Sequence, residues 1–174
     1  MLTRAITGLF FIIVLIGALL LGEVVFTIFF SLVGIGALYE FYGIVKSEDN
    51  KPNVILGMLS AIVLAVLIGI HCIGIIPFKF VWLFIPFFAA IFIVSLYQNS
   101  KLPFNDIAYT IMGIIYACMP FLFFVALGFI SGTFNHYIPL GFLIILWAND
   151  TGAYLSGRSF GKHKLFERIS PNKT

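Results

Sequence analysis

The sequence predicts an all-α fold, a polytopic transmembrane helix bundle of about six spans, and three observations lead there. Of 174 residues, 61% are hydrophobic and 10% charged, with a mean hydropathy of +1.13. A soluble domain of that composition has too little polar surface to face water. The apolar residues gather into six runs, each about the ~20 residues that a helix needs to cross hydrocarbon. Nine of the ten Lys and Arg fall on one side of a six-span arrangement, leaving only Lys79 on the other, as the positive-inside rule expects.

Residues 1–174 read as one integral membrane domain, and each run has a reason to be a helix. The first, Ala5–Gly22, follows Arg4. It is too long for a signal-peptide core and no small-residue cleavage site follows, so it reads as an uncleaved anchor. Gly22 and Glu23 alone separate it from Val24–Val45, which makes the pair a helical hairpin. Val54–Ile76, Phe80–Tyr97, Ile107–Ile130 and Ile138–Leu155 complete the set. Barrel strands would be about half as long and would alternate in polarity. Pro52, Pro77 and Pro103 stand at or near boundaries, where a missing N–H costs least. Pro86 and Pro120 fall inside spans and predict kinks.

The lopsided basic residues place both termini in the cytoplasm. The net charge of +3 calls for no nucleic acid, because juxtamembrane cations suit lipid headgroups and phosphates. Cys72 and Cys118 lie in different apolar runs and imply neither a disulfide framework nor a zinc site.

Five of the seven acids have ordinary explanations. Glu48 and Asp49 sit in a loop, Glu167 in the tail, Glu23 in the hairpin turn, and Asp106 is expected to cap the fifth span. Glu40 and Asp150 do not. Glu40, in GIGALYEFYG, lies about 9 Å below the cytoplasmic end of the second span. Small neighbours Gly36, Ala37 and Gly43 suit close helix contact, so it is either a paired packing acid or an acid of an active cavity. Asp150 lies roughly 18 Å into a ~30 Å hydrocarbon core, where a carboxylate costs at least ~2.5 kcal/mol unless it meets water, a cation or a partner.

Asp150, Ala153, Tyr154 and Gly157 share a helix face that runs on into GRSFGKHKLFERISPNKT. The glycines allow close approach of a ligand and the cations hold an anion. An acid beside cations suits a divalent metal carrying polyphosphate, since Mg²⁺ takes one or two carboxylates and completes its shell with water and phosphate oxygens. The plain structural reading is an ion pair from Asp150 to Arg158. No Walker loop is present.

The stretch NDTGAYLSGRSFGKHKLFERISPNKT, residues 149–174, resembles the mid-protein segment of the phosphatidate cytidylyltransferases, or CDP-diacylglycerol synthases. LYEFYGI, residues 38–44, is similar to that family's second-helix segment. The resemblance implies a magnesium-dependent nucleotidyltransferase of phospholipid biosynthesis, in a bacterial-type inner membrane. It would convert CTP and phosphatidic acid to CDP-diacylglycerol and pyrophosphate. It implies Asp150 as the catalytic, metal-holding acid. Arg158, Lys162, Lys164 and Lys173 would bind phosphates, Ser170 would make a polar contact, and Glu40 would be a cavity or supporting acid. A homodimer is also implied. Asn172 departs from the family's usual lysine. The family's later Lys-Asp and Pro-Gly-His-Gly-Gly motif, which supplies a second metal-binding acid, does not occur in these residues. The chain is therefore read as the N-terminal portion of a longer enzyme and as inactive by itself. Two rival readings are a CTP-dependent polyprenol or phytol-type lipid kinase, and a non-enzymatic transporter or assembly subunit with Glu40 and Asp150 as ion-coupling acids.

Overall fold

A computed structural model describes residues 2–98 and 100–161, with side chains from Ile6 onward. All regular structure among them is helical. Five stretches are long and apolar enough to cross a membrane: Glu23–Val45, Val54–Cys72, Phe78–Tyr97, Pro103–Leu127 and Tyr137–Phe160. The first run forms α1 (Leu2–Leu20), whose described apolar part, Ile6–Leu20, is shorter than the others. The expected six spans are thus five full-length stretches and one shorter helix. The chain divides into two compact units, Met1–His136 and Tyr137–Thr174.

In the first unit α1 turns into α2 (Glu23–Val45) at Gly22, whose φ of 104° is a left-handed value that a side chain would disfavour. Glu23 opens α2, where a carboxylate complements the helix N-terminus. α2 is the hub. It packs against α1, α3 (Val54–Cys72), α5 (Pro103–Gly113) and α6 (Met119–Leu127). α4 (Ile85–Tyr97) lies against α3 and α5. Leu38 and Tyr42 of α2, Ala61, Leu64 and Ala65 of α3, Ile91 of α4, and Leu122 of α6 fill the core. Farther along α2, Phe26 is fully buried among the rings of Phe30, Phe124 and Phe134, at centroid distances of 5.1, 5.8 and 5.2 Å.

The two prolines expected to kink spans are handled differently. Pro86 occupies the first turn of α4, directly after a 3₁₀ segment over Phe78–Phe84. There its absent N–H breaks no α-helical bond. Pro120 stands in the first turn of α6, and a π-helical turn over Ile114–Cys118 joins α5 to it. The irregularity thus precedes the proline, because the wider turn supplies the break in hydrogen bonding that Pro120 requires. α3 ends at Cys72 instead of Ile76, since Gly74 takes a left-handed φ of 85° in the turn ahead of Pro77.

Two glycines make room for Tyr42. A Cβ on Gly57 of α3 would overlap its hydroxyl, and one on Gly113 of α5 would come within 2.6 Å of its ring. The ring therefore sits between α3 and α5, and its hydroxyl donates to the Thr110 carbonyl at 2.7 Å.

That bond begins a polar network at the basic end of the unit, where Lys46, Lys51 and Lys101 occur in the loops. The Thr110 hydroxyl donates to the Asp106 carbonyl at 2.6 Å and accepts from the Asn53 N–H at 2.8 Å. Asn53 caps α3 by accepting from the Leu56 N–H at 3.0 Å. Asp106 departs from its expected role. Leu102 holds the N-cap position of α5, without a side-chain bond, and Asp106 lies within the first turn, 2% exposed. Its carboxylate accepts from the Lys51 N–H and the Ser100 hydroxyl, each at 2.5 Å. It ties two loops together instead of closing a helix end.

Two stability predictions follow from these contacts. Gly57→Ala should lower stability by ~1–3 kcal/mol through overpacking, whereas Gly36→Ala, with nothing within 4 Å of an added Cβ, should be neutral or stabilising. Asp106→Ala should lose ~1.5–3 kcal/mol by removing the carboxylate's two charge-assisted hydrogen bonds, to the Lys51 N–H and the Ser100 hydroxyl, with Asp106→Asn recovering part. Thermal unfolding of the detergent-solubilised chain reads all four; a Gly57→Ala melting point equal to the parent's would contradict the packing account.

Candidate functional site

The second unit carries the residue singled out most strongly by the sequence. α7 (Tyr137–Phe160) is one continuous 24-residue helix, longer than the expected 138–155 at both ends. Pro139 falls in its first turn, where it is tolerated. Arg158 lies in the last turn and complements the C-terminal dipole. The final turn closes with Gly161 N–H donating to the Gly157 carbonyl at 3.0 Å.

Asp150 stands on α7 with its side chain exposed. Arg158 is two turns farther on, about 12 Å along the axis. The ion pair between them does not form: neither side chain has a hydrogen-bond or ion-pair partner among the described residues. A carboxylate in an otherwise apolar stretch, with no partner among the described residues, is open to a cation or water. Lys162, Lys164, Ser170 and Lys173 lie outside the described residues.

The donor set sets limits on a metal. Among the described residues no three His, Cys, Asp or Glu side chains gather into a metal-binding group. One exposed carboxylate is nonetheless enough to contribute to Mg²⁺ whose other ligands are water and phosphate oxygens. Asp150 fits an ion that arrives with a nucleotide, not one caged by the residues described. Cys72 is a half-buried free thiol and Cys118 a buried one.

Glu40 is not a buried packing acid. It is exposed on α2 and borders two clefts of about 580 and 530 Å³. The first is shared with Tyr39, Gly43 and Lys46, the second with Phe41, Tyr116 and Pro120. Gly36 and Gly43, expected to admit a neighbouring helix, have nothing within 4 Å of an added Cβ. Close approach occurs instead at Gly34, where a Cβ would lie 3.0 Å from Phe121 Cβ. Glu40 and Asp150 belong to different units.

The Asp106 network went unrecognised in the sequence as a tie between loops. Its signals were present, with Asn53 immediately before an apolar run and Thr110 one turn after Asp106. The partner loops, at residues 51 and 100, are not neighbours in sequence.

Comparison with known proteins supplies the family. The model of the cytidylyltransferase family matches residues 2–174. A phosphatidate cytidylyltransferase of Staphylococcus aureus (strain COL) is 34% identical over 174 residues, covering 98% of this chain and 64% of that protein. Phosphatidate cytidylyltransferases of Staphylococcus epidermidis (strain ATCC 12228 / FDA PCI 1200) and Staphylococcus haemolyticus (strain JCSC1435) are 28% identical over 181 residues and 42% over 77. The former alignment covers 98% of this chain and 64% of the relative, the latter 44% and 28%. No solved structure matches. The chain thus spans 64% of the length of the first of these relatives. With a family model matched along nearly its whole length, and helices built to cross a bilayer, this integral membrane chain belongs to the cytidylyltransferase family.

Proposed function

We propose that the chain forms part of a phosphatidate cytidylyltransferase of phospholipid biosynthesis, making CDP-diacylglycerol and pyrophosphate from CTP and phosphatidic acid. The observation that carries this reading is Asp150, a carboxylate within an apolar helix that has no partner among the described residues, in a chain whose relatives bear that enzyme's name. In the reaction a phosphate oxygen of the lipid attacks the α-phosphorus of CTP, the new P–O bond forms, and the bond to pyrophosphate breaks. Two anions must meet, so positioning and charge neutralisation dominate the barrier.

Asp150 is the residue that would hold Mg²⁺, and the ion, when bound, neutralises the nucleotide's phosphates. Arg158 presents a planar guanidinium suited to phosphate oxygens, and Lys162, Lys164, Ser170 and Lys173 follow it as further phosphate and polar contacts. Glu40 is a supporting cavity acid. A helix that sinks its acid within reach of the aqueous edge leaves the acyl chains in lipid while CTP arrives from water. The basic residues favour a cytoplasmic placement of that edge, and of both ends of the chain, in a bacterial-type inner membrane. The functional enzyme is a homodimer of a longer protein that supplies a second metal-binding acid.

Asp150→Asn in the full-length protein should reduce CTP-dependent CDP-lipid formation by at least about 10²-fold, since the group acts on developing charge. Thin-layer chromatography of the products from labelled CTP and phosphatidic acid reads the outcome. Turnover unchanged by the substitution would exclude Asp150 from the chemistry, and a phosphorylated alcohol in place of a CDP-lipid would identify a lipid kinase.

A further inference from the structure

A second polar feature lies wholly within the Met1–His136 unit. A cavity of about 500 Å³ opens at its basic end, lined by Lys46, Ser47, Lys51 and Gln98, with Asn53 and Asp106 at its wall. We propose that this cavity binds the phosphate headgroup of an anionic bilayer lipid, as a site that does not include Asp150.

The charge balance favours an anion. Neither lysine ammonium has an ion-pair partner among the described residues. Asp106 is the only acid in the lining, and its two oxygens already accept from the Lys51 N–H and the Ser100 hydroxyl. Glu48 and Asp49 are exposed in the same loop and do not line the cavity. The frame is also fixed, because Asp106 and Thr110 tie the loops that carry the two lysines and Ser100. A held frame lowers the ordering cost of binding.

Position selects a lipid over a free phosphate. α2 ends and α3 begins at this cavity, while α4 ends and α5 begins beside it, so it lies at one edge of the apolar slab. The cleft of about 580 Å³ adjoins it, sharing Lys46 and Val54. Tyr39 and Ile44 in that cleft are 66% and 80% exposed, an apolar wall for a glycerol backbone and acyl chain.

Native mass spectrometry of the purified chain with phosphatidylglycerol, a phosphodiester lipid outside the proposed reaction, tests the site independently of the catalytic reading. The parent should retain one phosphatidylglycerol in preference to phosphatidylcholine. Each lysine should contribute about fivefold, so Lys46→Gln with Lys51→Gln should weaken retention by about 25-fold. Gln98→Trp, which fills the cavity and keeps both charges, should do likewise, with Ser47→Trp in its place if the first variant fails to fold. Lys79→Gln, at the opposite end, should leave retention unchanged. Retention surviving the double substitution or the filled cavity would overturn the proposal, as would equal loss in Lys79→Gln. Displacement by millimolar inorganic phosphate would also overturn it, by identifying a site for free anions.

Discussion

Hydrocarbon offers no hydrogen bonds, so a backbone that enters it must satisfy its own N–H and C=O groups. That constraint underlies the helical architecture and the treatment of its exceptions. Among the described residues of the first unit, departures from regular α-helix gather at prolines and between helices: the 3₁₀ turn before Pro86, the π-turn before Pro120, and the glycine turns at Gly22, Gly74 and Gly132. Buried side-chain hydroxyls mostly follow the same constraint, Thr27 Oγ1 being the exception among the described residues. Ser95 donates to the Ile91 carbonyl at 2.6 Å, and Ser60 donates to the Phe87 carbonyl at 3.3 Å, so each of these buried hydroxyls finds an acceptor in the chain. Asp150 and Glu40 are exposed acids on apolar helices, with no such partner among the described residues.

Packing in the first unit depends on shape more than on hydrophobicity. In lipid, apolar side chains gain little by leaving one hydrocarbon for another, so van der Waals fit and internal hydrogen bonds decide which helices meet. Tyr42 combines both. Its ring fills the space left by Gly57 and Gly113, and its hydroxyl reaches the Thr110 carbonyl. From there the bonds continue through Thr110 to Asp106 and Asn53, connecting the packed interior to the loops at the basic end. The geometry of a loop rich in charge is thus anchored by a ring in the apolar core.

Much of this was legible in the residues because length and hydropathy act locally. The second, third and fourth spans were placed to within a few residues, and Asp150 stood out by its surroundings alone. What escaped depends on contacts between distant segments. Gly36 and Gly43 looked like packing glycines beside Glu40, yet the helix turns Gly34 toward Phe121 instead. Asp106 had the look of a cap, since an acid near a helix start commonly is one. Only the approach of Lys51 and Ser100 reveals its other role. Prolines announce a disturbance without saying which side of themselves will absorb it, and at Pro86 and Pro120 the preceding turn does so.

The π-turn at Ile114–Cys118 has one more consequence, for angular phase. Asp106, Thr110 and Gly113 are buried before it, and Cys118, Leu122 and Val125 after it. An uninterrupted α-helix advancing ~100° per residue would bring the neighbours of that second set inward instead. The wide turn takes up one extra residue without adding its ~100° of rotation, and so realigns the two halves. Removing a single residue from this segment would therefore let it close as regular α-helix with Leu122 and Val125 still facing the interior, whereas a regular α-helix of the present length would spin them away from it and swing their flanking side chains inward, although hydropathy along the span would scarcely change.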